Sequence, residues 1–272
     1  MTVSSIILLS LAGLLSGVLA GFLGIGGGTL LVPVLIQMNF LPVPIQFTPV
    51  QATATSSLAI LVTSSAGSFQ NWRMGYLRLR QILLLGAPAL VTAFLGTLVG
   101  SSIPDYWLLL GFGSLLLTNI YLVSLKKRVV SKAKFRESRM AIGPAINPVT
   151  ARLITGSTAG FMAGLFGVGG GVILVPLQIL LLGESIKSAV RTSLGVIVIT
   201  SISACAGHAL NYNINWVAGL ILGVGGLIGV QVSTRFLPKL SNATVTNLFR
   251  VMLIVLSLYI FFQAWQIYSA AG

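Results

Sequence analysis

Ten apolar segments run through this chain of 272 residues, near 4–23, 29–41, 51–70, 81–101, 106–125, 152–166, 172–183, 188–209, 216–234 and 243–268. Nothing else limits the fold so sharply. Most have the roughly 20 residues that a helix needs to cross a hydrocarbon core about 30 Å thick. Only 7% of the residues are charged, against roughly 25% in soluble globular proteins, too few to cover a water-facing surface. Backbone polar groups in hydrocarbon must be paired within the protein, and runs of this length do so as helices rather than as barrel strands. The expectation is an all-α polytopic membrane protein. Met1 to Ser5 carry no positive side chain and make a poor signal peptide, so the first segment is expected to be retained.

Two segments, 29–41 and 172–183, are too short: at about 1.5 Å per residue each reaches only about 18–20 Å. Both follow the same sequence device. Gly17, Gly21, Gly24, Gly26–Gly28 and Val32-Pro33 in the first half match Gly160, Gly164, Gly167, Gly169–Gly171 and Val175-Pro176 in the second, at one offset of 143 residues. Further along, Thr55-Ser56 and Thr63-Ser64 match Thr192-Ser193 and Thr200-Ser201 at an offset of 137. The chain therefore reads as a tandem duplication: residues 1–125 are repeat 1, 126–150 a basic linker and 151–272 repeat 2.

The charges orient the copies. Seven of the sixteen basic residues, from Lys126 to Arg139, fall in the linker, the pattern of a cytoplasmic loop under the positive-inside rule rather than of a nucleic-acid surface. The connector with Arg73, Arg78 and Arg80 has an uncharged counterpart at Asn211 to Trp216. Ser101 to Tyr106 holds only Asp105, whereas its counterpart has Arg235 and Lys239. Equivalent loops thus favour opposite sides. The expected fold is two inverted repeats of about five transmembrane segments each, with broken or half-spanning helices at the Gly-Gly-Gly motifs, a cytoplasmic linker and both termini outside.

The residue inventory excludes whole chemistries. The chain has three acids (Asp105, Glu137, Glu184), one histidine (His208) and one cysteine (Cys205). A structural zinc site takes about four ligands, a disulfide needs a second cysteine, and the acids lie too far apart in sequence for paired-carboxylate catalysis. No G-x-x-x-x-G-K-[ST] loop is present for a nucleotide. The reading is a non-enzyme without metal or cofactor.

Candidate binding residues follow from cost. Consecutive glycines are poor helix formers, at roughly 1 kcal/mol each relative to alanine. Gly26, Gly27, Gly28 and Gly169, Gly170, Gly171 are therefore expected to break their helices, leaving the N–H groups and positive dipole end of a half-helix to face an anion. Gly13, Gly17 and Gly21 keep a small-xxx-small spacing that reads as close helix packing. Arg191, about a turn into an apolar segment, costs roughly 2.5–3.5 kcal/mol to insert and so faces a partner or cavity, or else snorkels to headgroups. Glu184 is a candidate partner. Copy one has Ala54 at its place. Thr55, Ser56, Thr192, Ser193, Gln51 and Gln70 offer donors without charge, although such hydroxyls also bond back to their own helix. His208 titrates near neutral pH or is simply buried at the interface, and Cys205 reads as a packing residue.

At the doubled G-x-x-G-x-G-G-G…V-P element, the A-x-x-T-S element (Ala52 to Ser56, Ala189 to Ser193) and the basic linker, the chain resembles the sulfite exporter TauE/SafE family, also called the toluene sulfonate uptake permease family. The resemblance implies a carrier of sulfite, sulfoacetate or a related sulfur-containing or organic anion in the bacterial plasma membrane. It points to Gly26–Gly28, Gly169–Gly171, Thr55, Ser56, Thr192 and Ser193. It also implies a histidine before the fourth segment of each copy; His208 fits, with Gln70 read as its counterpart. The expected function is a secondary transporter of small anions by alternating access, with an anion-selective channel as the alternative. Its partners are then the anionic substrate and the lipid bilayer, with no nucleic acid; a homo-oligomer is compatible with this reading.

Overall fold

The computed structural model describes residues 2–38, 46–100, 103, 105–134, 147–166, 169–210 and 213–271. Among the described residues the regular structure is entirely helical: α1 Val3–Leu23, α2 Gly28–Gln37, α3 Pro49–Arg73, α4 Leu79–Gly100, α5 Asp105–Lys134, α6 Pro148–Phe166, α7 Gly171–Leu181, α8 Ile186–Leu210, α9 Trp216–Phe236 and α10 Asn242–Ala271. Each falls on one of the ten apolar segments. The chief difference is α5, which continues nine residues beyond 125 to Lys134, into the expected linker. Residues 135–146 of that linker lie outside the described residues.

Local signals account for many of the starts. Thr2 Oγ1 accepts from the Ser5 N–H at the head of α1. Thr48 and Gln51 form a reciprocal capping box at α3, with Pro49 in the first turn where its missing N–H costs nothing. Asn215 Oδ1 caps α9 through the Ala218 N–H, and Ser241 Oγ caps α10 through the Thr244 N–H.

The outside of the molecule is apolar, as lipid requires. Val217, Leu220, Val224, Ile228 and Val232 make an exposed stripe on α9, and Val251, Val255, Leu258 and Phe262 make another on α10. Five helices, in α1, α4, α8, α9 and α10, are long and apolar enough to cross a membrane. α3 has the length but carries polar side chains inward: Thr55, Ser56, Ser57, Thr63, Ser64 and Asn71 are all buried. With 10 and 11 residues, α2 and α7 reach about 15–17 Å, well short of the core thickness.

Helix pairs occur in matched sets. α1 packs on α9 and α6 on α4; α3 packs on α9 and α8 on α4; α2 packs on α3 and α7 on α8. α3 also pairs with α8, and α5 with α10. Glycine makes the closest contacts. A Cβ at Gly13 or Gly17 would overlap the Leu222 or Gly226 carbonyl, and one at Gly156, Gly160 or Gly164 the Leu85, Ala89 or Ala93 carbonyl. These two sets correspond at the 143 and 137 offsets. The sequence reading of Gly13, Gly17 and Gly21 as packing residues agrees with this geometry, Gly21 lying against Ser233 of α9.

Gly17→Leu and Gly160→Leu are expected to lower the melting temperature of the detergent-purified protein sharply or abolish folding. Overpacking typically costs about 1–3 kcal/mol where neighbours can shift, and here the neighbour is backbone. Gly207→Ala, with nothing within 4 Å of its Cβ, should leave the melting temperature unchanged or slightly raised. Thermal unfolding followed by size-exclusion chromatography checks all three.

Candidate functional site

Two glycine elbows meet at the centre of the packing. α1 stops at Leu23, and Gly24, Gly26 and Gly27 have φ of 69°, 74° and 86° before α2 begins at Gly28. In the second half Gly169 and Gly170 both have φ 74° before α7 begins at Gly171. These left-handed values are strained for any residue with a Cβ. The helices start one residue before the expected Thr29 and Val172. Neither Gly27 nor Gly170 supplies a side-chain cap.

The elbows touch. A Cβ at Gly171 would overlap the Gly24 carbonyl and stand 2.6 Å from Ile25 Cα. Ile60 of α3 and Ile197 of α8, equivalent at the 137 offset, close over them: both lie within 3.2 Å of a Cβ built on Gly26, and Ile60 Cδ1 is 3.8 Å from one on Gly169. Ser193 Oγ donates to the Gly24 carbonyl at 2.7 Å, and Ser16 Oγ to the Gly27 carbonyl at 3.1 Å. Thr200 lines a small crevice beside Gly169 and Gly170.

The other candidates are spread along α3 and α8. Thr55 Oγ1 accepts from the Asn215 N–H at 3.1 Å, and Ser56 Oγ donates back to the Thr53 carbonyl at 2.9 Å. A hydroxyl has one hydrogen, so Ser56 and Ser193 direct theirs to backbone in this conformation, whereas Thr55 keeps its own. Thr192 is buried. Gln51 is exposed and serves the α3 capping box. Gln70 Nε2 donates across to the Gln231 carbonyl at 3.4 Å. His208 is half-buried in the last turn of α8. Nineteen residues separate Gln51 from Gln70, about 28 Å along a helix, and seventeen separate Arg191 from His208, about 25 Å. No single small anion touches all of them.

Arg191 stacks its guanidinium on Tyr76, 3.6 Å from the ring centroid, a cation–π contact. Its Nε is buried without a hydrogen bond among the described residues. Glu184 accepts from Gln81 Nε2 at 3.1 Å and from Ser188 Oγ. Tyr76 in turn gives its backbone N–H to the Asn71 carbonyl at 3.0 Å, joining Arg191 to the C-terminal end of α3.

That end holds polar groups the sequence reading left out of its site. Ser64 Oγ, Ser68 Oγ and both polar atoms of Asn71 are buried without partners among the described residues, and their i, i+4, i+7 spacing puts them on one face. The signal was available: the 137 offset carries Ser64, Ser68 and Asn71 onto Ser201, Cys205 and His208. The counterpart of His208 is therefore Asn71 rather than Gln70, a correction of one residue that moves the position from the flank of α3 to its buried face.

The sulfite exporter TauE/SafE family pattern matches residues 9–260, covering nearly all of these helices and both elbows. The chain belongs to this family. It is similar to the Bacillus subtilis "Probable membrane transporter protein YunE", 26% identical over 270 residues, spanning 95% of this chain and 98% of that one. It is also similar to the Methanocaldococcus jannaschii "Probable membrane transporter protein MJ0441", 28% identical over 263 residues (90% and 92%). A Haemophilus influenzae relative of the same description is 35% identical over 112 residues, 39% of this chain and 42% of its own length. Family and helices together make this TauE/SafE chain a multi-pass membrane protein of a transporter family.

Ser193→Ala should destabilise the protein by about 1–3 kcal/mol, because it removes a buried hydroxyl from the Gly24 carbonyl. Ser56→Ala should cost less than about 1 kcal/mol, since it only loses a bond back to its own helix. Melting temperatures of the two variants in one detergent check the contrast.

Proposed function

We propose that the chain is a secondary transporter of small anions, of the class of sulfite, sulfoacetate and related sulfur-containing or organic anions, working by alternating access. In this reading residues 1–125 and 151–272 are inverted repeats in a bacterial plasma membrane, with the 126–150 linker cytoplasmic and the termini outside. α2 and α7 are half-spanning helices that follow broken turns. The observation that carries it is the contact between two equivalent glycine elbows where α3 crosses α8, an arrangement typical of carriers with discontinuous helices. The matched helix pairs support the inversion, the family's description supports an anion such as sulfite, and the descriptions of the relatives support membrane transport.

Each part of the site has a distinct task. The uncapped first turns of α2 and α7 supply N–H groups and the positive end of a helix dipole. Thr55 donates its hydroxyl hydrogen, with Thr192 beside it; Ser56 and Ser193 join only in a conformation that frees them from backbone. Arg191 supplies the fixed charge, presenting its unpaired Nε and paired N–H fork to an oxyanion. Ser64, Ser68 and Asn71 continue the donor track along α3. His208 lies at the far end of α8, as the counterpart of Asn71. Cation-coupled carriers commonly hold Asp or Glu in the membrane, and the three acids here flank the segments instead. Uniport, or a proton carried on the substrate, is therefore ranked above a histidine relay.

Proteoliposomes loaded with labelled sulfite test this reading, with sulfate, thiosulfate, sulfoacetate and acetate as competitors. A carrier gives saturable flux and counterflow; linear flux without counterflow assigns the channel. Arg191→Lys should cut flux roughly tenfold, the effect of about 1.4 kcal/mol lost from a bidentate contact, and Arg191→Ala should nearly abolish it. Unchanged flux in Arg191→Ala at equal protein level removes the charge from the site. His208→Gln should keep most activity and its pH dependence, and loss of proton coupling with binding intact would transfer that role to His208.

A further inference from the structure

Away from the elbows, α3 and α9 run in parallel register, with Val62 against Gly223, Thr63 against Gly226 and Gly67 against Val230. Beside this seam lies an open groove of about 550 Å³. Its inner part is apolar, with Leu61, Val62 and Leu227 on the walls. Its outer part, at the C-terminal ends of both helices, is polar: Gln70 and Arg73 come from α3, Gln231 and Arg235 from α9. No acid lines it. Arg73 lies over the Phe69 ring, its guanidinium carbon 6.0 Å from the centroid, so the stem rests on an apolar wall and the charge stays at the mouth.

The duplication provides an internal control. Carried by the 137 offset, Gln70 and Arg73 fall on Gly207 and Leu210 of α8, while Gln231 and Arg235 fall on Phe94 and Leu98 of α4. Leu210, Phe94 and Leu98 are all exposed. At these four positions the equivalent face carries no amide and no charge, so the polar mouth is found on one of the two faces. Topology signals account for arginines at this end. They do not account for two uncharged amides on a face otherwise suited to lipid, of which Gln70 gives one N–H to the Gln231 carbonyl and keeps the other.

We propose that this groove binds one anionic phospholipid of the cytoplasmic leaflet, its phosphate held by Arg73 and Arg235 and an acyl chain lying on Leu61, Val62 and Leu227. The leaflet rests on the topology proposed above; the ligand chemistry does not. Guanidinium forks match phosphate oxygens in pairs, and the Gln70 and Gln231 amides donate to ester and glycerol oxygens. The cytoplasmic leaflet is the one that carries anionic lipid. A volume of this size takes a headgroup and the upper part of one chain. The groove lies on the α3–α9 flank, and its lining shares no residue with the elbows, with Arg191 or with Ser64, Ser68 and Asn71.

Trp72, exposed beside Arg73, is a built-in reporter. A full-length variant with Trp107→Phe, Trp216→Phe and Trp265→Phe is reconstituted in phosphatidylcholine, and its fluorescence is quenched with brominated phosphatidylglycerol or brominated phosphatidylcholine. Phosphatidylglycerol should be preferred on the order of 5- to 30-fold, the range for one or two basic contacts at an anionic surface. Arg73→Gln with Arg235→Gln should bring the ratio to about 1. Because those arginines also bear on topology, Gln70→Leu with Gln231→Leu is the second test: charges stay, and the preference should fall roughly 2- to 10-fold with the lost hydrogen bonds. Equal quenching by both lipids in the parent overturns the proposal, as does a preference that survives in both double variants or is abolished by excess inorganic phosphate. Arg191→Ala separates the two readings, since it should lose anion flux and keep the lipid preference.

Discussion

Backbone-to-backbone contact between glycine-bearing helices is the interaction on which this structure depends. In lipid, apolar helices gain nothing from the hydrophobic effect by associating, so close packing has to hold them together. Gly13, Gly17 and Gly21 bring α1 onto α9, and Gly156, Gly160 and Gly164 bring α6 onto α4, at separations that exclude a methyl group. The glycine elbows follow directly after these seams. Their left-handed backbone is covered by both halves of the chain: Gly171 sits against Gly24, and Ile60 and Ile197 close over Gly26. Packing that tight at two equivalent places gives the molecule a centre.

Around that centre the polar chemistry is sparse and mostly engaged. Ser16 and Ser193 tie loose carbonyls of the first elbow, and Thr55 receives the N–H that leads into α9. These bonds hold the frame. Donors without partners among the described residues include Ser64, Ser68 and Asn71 in the C-terminal half of α3, Arg191 Nε, and Thr29 in the first turn of α2. Leaving several polar groups buried and unpaired carries a cost of about 1–3 kcal/mol each, a reason to look for their acceptor in a ligand. Arg191, whose counterpart at the 137 offset is Ala54, adds a charge that the first half of the chain lacks at that position.

Much of the fold could be read from the chain. All ten apolar segments became helices, because in hydrocarbon a long apolar run has almost no other way to pair its backbone. α3 was read from weaker apolarity and proved to be an inward-facing helix, its hydroxyls shielded by α8 and α9. The site was less legible. Thr-Ser pairs look alike in sequence, yet Ser193 bonds a carbonyl 169 residues away while Ser56 bonds one three residues back. Nothing local distinguishes them. Assigning Gln70 to the place of His208 slipped by one position, and on a helix one position turns a side chain by about 100°, here from the buried face to the groove.

By itself the sequence determined the helical class and the run of apolar segments, and it carries the glycine and Thr-Ser matches at the 143 and 137 offsets. Composition and periodicity are properties of the chain, and the bilayer leaves them only one solution. The tertiary structure alone decided which glycines pack and which turn, which hydroxyls are engaged, and that the second-copy elbow rests on the first. It also decided that polar residues of α3 and α9 share one groove whereas their counterparts make a bare apolar face. The contact between the elbows joins residues 147 apart (Gly24 and Gly171) and the Ser193 bond joins residues 169 apart, and a hydrogen bond or a backbone contact exists only once both sides of it are in place.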